Sequence, residues 1–331
     1  MLTKTTLSIF RKKSENICSK MNFAEEIKRL RQEKNAVILA HYYTIPEVQE
    51  IADFVGDSLA LSQKAAETDA DIILFAGVHF MAETAKILNP NKKVLIPDLE
   101  AGCSLADSCD GAAFGEFLKN YPDHIVLSYI NCSAAVKCLS DIIVTSGNAL
   151  KIVNALPQNQ KIVFAPDRNL GRYINEQTGR DMVLWDGVCY LHNAFTAEKV
   201  AEVKKTHPAA EVIAHPECTA SVLAFADYIG STAAMLKHVA SSDKKEFIVI
   251  TEHGILHELK KQNPDKTFHI INTAENCACS ECSYMKLNTL EKIYLTLRDE
   301  TPELLLDAAT IEAARKPIVK MLEMSKPKKQ S

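Results

Sequence analysis

The chain has 331 residues, 47% of them hydrophobic, and a formal net charge of −4. This length exceeds what one hydrophobic core usually organises, so we expect two or three domains. The small negative charge gives no electrostatic basis for nucleic-acid binding, and no apolar run approaches the roughly 18 residues that a membrane helix needs.

The N-terminal stretch 1–21 carries scattered basic residues but no apolar segment followed by a small-residue cleavage site. A secretory signal is therefore not expected, and we predict a cytoplasmic protein with a disordered extension at 1–21. Met21 is an alternative start of translation. Ten cysteines in a chain without an export signal favour metal or redox chemistry over a disulfide framework.

From residue 22 onward, an amphipathic helix is followed by apolar strand patterns that alternate with helical patterns. Strands are predicted at 36–40, 71–77, 93–98, 124–130, 161–167, 182–187, 211–215, 246–252 and 267–272. Helices are predicted at about 46–54, 59–67, 80–88, 149–156, 171–177, 221–229, 232–241 and 255–262. This alternation is typical of parallel sheets covered by helices.

One sequence pattern recurs three times, at 41–58, 129–146 and 215–232, and these three windows align without a gap. The shared positions are Val48, Val136 and Val222, then Asp53, Asp141 and Asp227, and finally the hydroxyl residues Ser58, Ser146 and Thr232. The period is too long for a solenoid. We therefore predict an α/β fold of three pseudo-equivalent αβα domains, with small parallel sheets around a pseudo-threefold axis.

The predicted domain boundaries follow from these windows. The first α/β domain comprises 22–106 together with the C-terminal helices of 288–331. The second comprises 107–192, and the third comprises 193–287.

Ligands collect beyond the carboxyl ends of parallel strands, so residues that follow the first strand of each copy should converge. These residues are His41, Tyr42 and Tyr43; Tyr129, Ile130 and Asn131; and His215, Pro216 and Glu217. The hydroxyls that close the windows precede helices, whose free N–H groups bind carboxylate or phosphate. The third strand of each copy leads to a cysteine, which is Cys103, Cys189 or one of Cys277, Cys279 and Cys282.

Each of these features also has an ordinary structural explanation. A serine or threonine before a helix is usually a cap, and a histidine after a strand is often structural. The repeated aspartates could brace the same turn in each copy, and Cys132, Cys138 and Cys218 have the apolar neighbours of buried thiols. Recurrence of the same kinds of position in three copies favours a shared site.

Three converging thiolates indicate a metal centre. Structural zinc usually takes four ligands that include local cysteine pairs, whereas Cys103 and Cys189 stand alone in their segments. A [4Fe–4S] cluster held by three cysteines would keep one iron open as a Lewis acid, which favours dehydration over electron transfer.

Several long strings, among them HYYTIPEVQEIADFVGDS, FAGVHFMAETAKIL, PDLEAGCSLADSC, HPEC and MKLNTLEKIY, closely resemble the quinolinate synthase family of de novo NAD biosynthesis. The resemblance runs from about residue 22 to about residue 300. It implies a [4Fe–4S] cluster at the meeting point of three α/β domains. It also implies condensation of iminoaspartate with dihydroxyacetone phosphate to quinolinate, with loss of phosphate and two waters, and a functional link to L-aspartate oxidase.

Carried over position by position, the resemblance implies a substrate site and a cluster site. The substrate-binding residues are His41, Tyr43, Ser58, Tyr129, Ile130, Asn131, Ser146, His192, His215, Pro216, Glu217 and Thr232, and the cluster ligands are Cys103, Cys189 and Cys282. The catalytic candidates are Glu217, Tyr43, Tyr129 and His215. Glu217 and Tyr43 are best suited to exchange protons with the substrate.

Three questions stay open at the sequence level. Repeat spacing favours Cys277 as the third ligand, whereas the family match favours Cys282, which we adopt. Cys132 and Cys138 depart from the family's smaller or hydroxylated residues and raise the question of oxidation sensitivity. A redox iron–sulfur protein and a zinc-stabilised small-molecule binding protein are the alternative functions.

Overall fold

The computed structural model describes residues 22–273 and 280–326, and each third of this chain builds one four-stranded parallel sheet. The strands are β1 (Ala36–His41), β2 (Phe54–Gly56), β3 (Ile72–Ala76) and β4 (Lys93–Leu95); β5 (Ile125–Tyr129), β6 (Ile142–Val144), β7 (Ile162–Ala165) and β8 (Val183–Leu184); and β9 (Glu211–Ala214), β10 (Tyr228–Ile229), β11 (Glu246–Ile250) and β12 (Thr267–Ile270). In every sheet the second strand lies at the edge, followed by the first, third and fourth. Each sheet with its helices is called the first, second or third unit, and the predicted fold class is confirmed.

Helices connect the strands and cover the sheets. In the first unit they are α1 (Phe23–Glu33), α2 (Pro46–Ile51), α3 (Ser58–Glu67), α4 (His79–Leu88) and α5 (Ser104–Asp107). Next come α6 (Gly111–Leu118), α7 (Ala134–Cys138), α8 (Ala149–Ala155), α9 (Arg168–Thr178), α10 (Tyr190–Asn193), α11 (Ala197–Thr206), α12 (Ala220–Leu223), α13 (Thr232–Ser241) and α14 (Ile255–Gln262). The 3₁₀-helix Met285–Leu287, α15 (Leu290–Asp299) and α16 (Ala308–Ser325) complete the described chain.

The central strands are almost continuous apolar runs because helices cover both faces of each sheet. In β3, all five residues are buried, and β1 pairs with it in parallel register from Ala36 opposite Ile72 to Ala40 opposite Ala76. The carboxyl ends of these paired strands therefore lie at the same edge of the sheet.

The three repeated aspartates brace the chain where it returns to the sheet. A carboxylate oxygen of Asp53 accepts the N–H of Ile38 at 2.8 Å, and the Asp53 N–H donates back to the Ile38 carbonyl at 2.9 Å. Asp141 and Asp227 make the same pair of bonds with Val126 and Val212. Their recurrence has a structural cause.

The structure corrects the predicted ends of the repeated windows. The helix predicted at about 46–54 ends at Ile51, and the one predicted at 221–229 is only α12. Each window instead closes on a short edge strand, β2, β6 or β10, and none of these strands was predicted. Two or three residues are too few to reveal strand alternation, so pairing with the neighbouring strand decides their conformation.

A single cluster of buried hydrophobic side chains extends through all three units, with Leu39 in the first, Phe164 in the second and Phe247 in the third. The helix α15 packs against α1, whereas α16 packs mainly against α7 and β6 of the second unit. The predicted first domain includes 288–331, but the contact of α16 with the second unit was not foreseen. The domain boundaries stay predictions.

Two predictions fall outside the described residues, namely the disordered extension at 1–21 and the role of Cys277 and Cys279. Within 22–273 and 280–326, no helix has the length and apolar character to cross a membrane.

Candidate functional site

One cavity lies where the three units meet, and the space there that protein atoms do not fill, including space open to solvent, is about 660 Å³. Its walls contain most of the sequence-predicted site residues, namely His41, Tyr43, Ser58, Cys103, Tyr129, Asn131, Ser146, Cys189, His192, His215, Glu217, Thr232 and Cys282. Ile130 and Pro216 are buried beside lining residues but do not line the cavity. These residues converge because ligands bind beyond the carboxyl ends of parallel strands. The strands β1 and β5 end on His41 and Tyr129, and β9 ends just before His215.

Two histidines that begin repeated windows are held in the same way. The Nδ1 atom of His41 accepts the Tyr43 N–H at 3.1 Å, and Nδ1 of His215 accepts the Glu217 N–H at 3.4 Å. Burial lowers the pKa of His41 to about 3 and also lowers the pKa of His215. In the neutral His41 ring an accepting Nδ1 leaves the proton on Nε2, which presents a donor suited to an anionic substrate.

The hydroxyls that close the windows are not needed as helix caps. The Asp57 side chain caps α3 by accepting the Ala60 N–H, and the Ser231 side chain caps α13 by accepting the Ala234 N–H. Ser58 and Thr232, one residue further on, line the cavity instead. The role of helix cap, which was the structural alternative for these hydroxyls, is therefore filled by the preceding residues Asp57 and Ser231.

Glu217 is an acid that lines the cavity, and it is 2% exposed. Its Oε2 atom lies 2.7 Å from Nδ1 of His192 and 3.3 Å from Nδ1 of His215. Burial alone would raise the pKa of this carboxyl, but the two imidazoles hold it well below its usual range. The second oxygen, Oε1, is buried without a hydrogen-bond partner among the described residues and can bind a substrate group.

Tyr43 and Glu217 belong to different units, and a short chain of hydrogen bonds joins them. The Tyr43 hydroxyl lies 2.8 Å from the Thr251 hydroxyl, which is 2.9 Å from Nε2 of His192. Burial raises the pKa of Tyr43 far above its usual value, so the phenol keeps its proton at neutral pH. Sequence reasoning missed Thr251, because no shared residue type marks its position in the three copies.

Tyr129 faces the same centre. Burial and, after it, the charge of Glu217 raise the pKa of its phenol well above the usual value. Nearby, Nε2 of His215 lies 3.3 Å from the Ser146 hydroxyl, and the buried Oδ1 of Asn131 has no partner among the described residues. These polar groups fit a ligand that carries carboxylates, phosphate or a carbonyl.

The three cysteines that line the cavity share a local geometry. Cys103 and Cys189 directly precede α5 and α10, and Cys282 lies just before the 3₁₀-helix. Burial raises the pKa of all three thiols, to about 12 for Cys103, whereas backbone N–H groups of the following turns favour the thiolates. Buried thiols of this kind ionise readily only beside a cation, so their environment is compatible with a metal centre.

A second set of metal donors overlaps with this region. Donor atoms of Cys189, His192 and Glu217 all lie within 4.8 Å of one another.

The sequence also predicted three buried thiols, Cys132, Cys138 and Cys218. Cys132 and Cys218 are 0% and 1% exposed, Cys138 is partly buried, and none of them lines the cavity.

The fold and this cavity define an α/β enzyme with candidate metal-binding thiols at the junction of three similar units. The sequence profile of the family described as Quinolinate synthetase A protein matches residues 25–323. The chain therefore belongs to this family of NAD-biosynthesis enzymes, as its motifs predicted.

Three relatives named quinolinate synthase have similar sequences. The protein of Trichodesmium erythraeum is 60% identical over 301 residues, which are 91% of this chain and 93% of the relative. The Microcystis aeruginosa protein is 61% identical over 299 residues, or 90% of this chain and 94% of the relative. The Synechocystis protein is 60% identical over 299 residues, which are 90% of this chain and 94% of the relative.

Proposed function

We propose that the chain condenses iminoaspartate with dihydroxyacetone phosphate to form quinolinate, releasing phosphate and two waters. The observation that carries this proposal is the single cavity in which three thiols, Glu217 and the window hydroxyls of all three units meet. Membership of the quinolinate synthase family supports the same reaction.

In this proposal, Cys103, Cys189 and Cys282 hold a [4Fe–4S] cluster, and their lining of one cavity fits a shared centre. When bound by three thiolates, such a cluster leaves one iron open, which supplies Lewis-acid chemistry at a substrate oxygen.

The remaining residues bind and orient the substrates. The Nε2–H group of His41, the ring of His215 and the hydroxyls of Ser58, Ser146 and Thr232 offer polar contacts for carboxylate and phosphate oxygens. The N-termini of α3 and α13 add free N–H groups and a favourable dipole. We also assign substrate contacts to Tyr129, Ile130, Asn131, His192 and Pro216.

Proton transfer falls to the acid and the phenols. The ionised Glu217 has a free oxygen and can take a proton from a substrate carbon or nitrogen, while Tyr43, which keeps its proton, can donate to a leaving oxygen. Tyr129 and His215 stand beside them as further donors. Because these four residues are themselves buried, bulk water competes little for their polar groups.

The proposed substrates also suggest where the enzyme works. Oxidation of the amine of aspartate yields iminoaspartate, which fits a functional link to L-aspartate oxidase. We propose a cytoplasmic location and small-molecule partners, with no nucleic acid or membrane involved.

The direct test is an anaerobic assay of the purified wild-type enzyme with iminoaspartate and dihydroxyacetone phosphate, with quinolinate measured by chromatography. We expect quinolinate and phosphate in equal amounts from brown protein that contains iron. Colourless protein that holds zinc would favour the binding-protein alternative, for which the Cys189, His192 and Glu217 donors provide a site. Iron-containing protein whose electron paramagnetic resonance spectrum is unchanged by substrate would instead favour a closed redox cluster.

A further inference from the structure

A buried carboxylate occupies the same position in two of the three units. Asp167 comes two residues after the end of β7, and Glu252 comes two residues after the end of β11. Both are 0% exposed. In the first unit the corresponding residue is Val78, which is apolar.

Each carboxylate holds the backbone of a cavity cysteine. An oxygen of Asp167 accepts the Cys189 N–H at 3.2 Å, and Oε1 of Glu252 accepts the Cys282 N–H at 3.0 Å. The other oxygen of each side chain binds the turn that follows its strand, through the N–H of Leu170 at 2.7 Å. In the third unit this second contact is the N–H of Gly254 at 2.6 Å.

The third unit adds a cation to this arrangement. Nζ of Lys286 lies 2.8 Å from Oε1 of Glu252 and donates to the Tyr43 carbonyl at 2.8 Å. Glu252 is therefore connected to the Cys282 segment and, through Lys286, to the strand end that carries Tyr43.

The first unit achieves the same connection without a carboxylate. The His79 N–H, one residue beyond Val78, donates to the Ala101 carbonyl at 2.7 Å, two residues before Cys103. All three units thus tie the end of the third strand to the cysteine segment, by a backbone bond in one unit and by an acid in the other two.

Burying a carboxylate is costly unless hydrogen bonds satisfy it, so its presence at an equivalent place in two units needs a cause. In both acids, one carboxylate oxygen accepts an N–H of the local turn and the other accepts a cysteine N–H. Outer groups of this kind orient metal ligands and commonly change metal affinity or activity by about 10- to 100-fold when removed.

We propose that Asp167 and Glu252 are positioning residues that hold Cys189 and Cys282 in place for the metal cluster. The inference rests on the cluster assignment made in the proposed function. Neither acid lines the cavity, and each acts through the cysteine segment that it fixes.

The test is the rate at which the anaerobic holoenzyme releases iron to a chelator, measured for Asp167→Asn and Glu252→Gln. A side-chain amide offers one acceptor oxygen, so it can satisfy only one of the two N–H groups that each carboxylate binds. We expect iron release to accelerate by at least roughly tenfold in both variants. Glu252→Asp keeps the charge but shortens the reach to Cys282, and it should accelerate release even if Glu252→Gln does not fold.

The control is Asp227→Asn in the third unit, since an oxygen of Asp227 also accepts a backbone N–H, that of Val212 at 2.8 Å, in a strand that leads to no cavity cysteine. This control should release iron at the wild-type rate. Folded Asp167 and Glu252 variants that match the control would overturn the inference while leaving the cluster assignment intact. A wild-type protein that binds no cluster would instead refute the proposed function.

Discussion

At the scale of single residues, Glu217 combines a restrained oxygen with a free one. Oε2 is fixed by His192 and His215, whereas Oε1 is buried without a hydrogen-bond partner among the described residues. A carboxylate held in this way is oriented for proton transfer and is kept ionised by its neighbours. An equally buried acid with both oxygens engaged, such as Asp167, lacks that freedom.

We expect Glu217→Gln to lower the rate of quinolinate formation by at least roughly a hundredfold, the usual scale for losing a general acid or base. Iron content should change little, because the amide has nearly the same shape and Glu217 is not one of the assigned cluster ligands. The measurement is kcat under anaerobic conditions, with the cluster quantified by absorbance. A variant with near-normal turnover would remove Glu217 from the mechanism.

The repeated aspartates illustrate the opposite case, in which recurrence reflects the backbone. Asp141→Ala removes the acceptor for the Val126 N–H and should cost about 1 kcal/mol of unfolding free energy. Urea unfolding of the variant measures this loss. Its kcat/KM should equal that of the wild type, and a lower kcat/KM without a change in stability would show that the structural assignment is wrong.

At the scale of elements, the sequence was informative wherever a segment was long or a residue type recurred. Buried strands such as β3 and helices such as α13 follow from apolar runs and periodicity, and the windows located His41, Tyr129 and His215 at one edge. The edge strands β2 and β10 were missed because pairing, not local sequence, forms them. Thr251 was missed because its role depends on two side chains from other units.

The residue Glu300 joins three elements of the first unit. It follows α15 with a φ of 53° and forms ion pairs with Lys34, after α1, and Lys93, in β4. Hydrogen bonds from Lys34 and Lys93 lower the pKa of Glu300 from 4.5 to about 2. The unfolded chain therefore binds this proton more readily, so the stabilisation is complete above about pH 4.5 and is lost as the pH falls towards 2.

We expect the wild-type unfolding free energy to fall more steeply than that of Glu300→Gln between about pH 5 and about pH 3. The substitution preserves the size of the side chain at the left-handed position, so only the charge is tested. Urea midpoints at several pH values give the two slopes. Parallel slopes would show that these ion pairs do not contribute to acid sensitivity.

At the scale of the whole molecule, three similar units share one cluster of buried hydrophobic side chains and one cavity at their junction. The fold class and the convergence of the windows could be predicted because the sequence repeats them. The packing of α16 against the second unit could not, since no local pattern specifies which surface a terminal helix covers. The buried acids Asp167 and Glu252 were also missed, because their equivalence appears only once the strand ends are known.

The central claim is that one thiol from each unit, Cys103, Cys189 and Cys282, holds a single [4Fe–4S] cluster. The most direct measurement is iron and sulfide content per chain in anaerobically purified single serine variants at these three positions. Cys277→Ser and Cys279→Ser provide controls from the segment that precedes Cys282 in the sequence.

We expect about four irons per chain in the wild type and both controls, and loss of the cluster in each of the three variants. Retention of a full cluster after replacement of Cys103 or Cys189 would contradict the convergence of the three units. Cluster loss in Cys277→Ser together with retention in Cys282→Ser would contradict the third ligand.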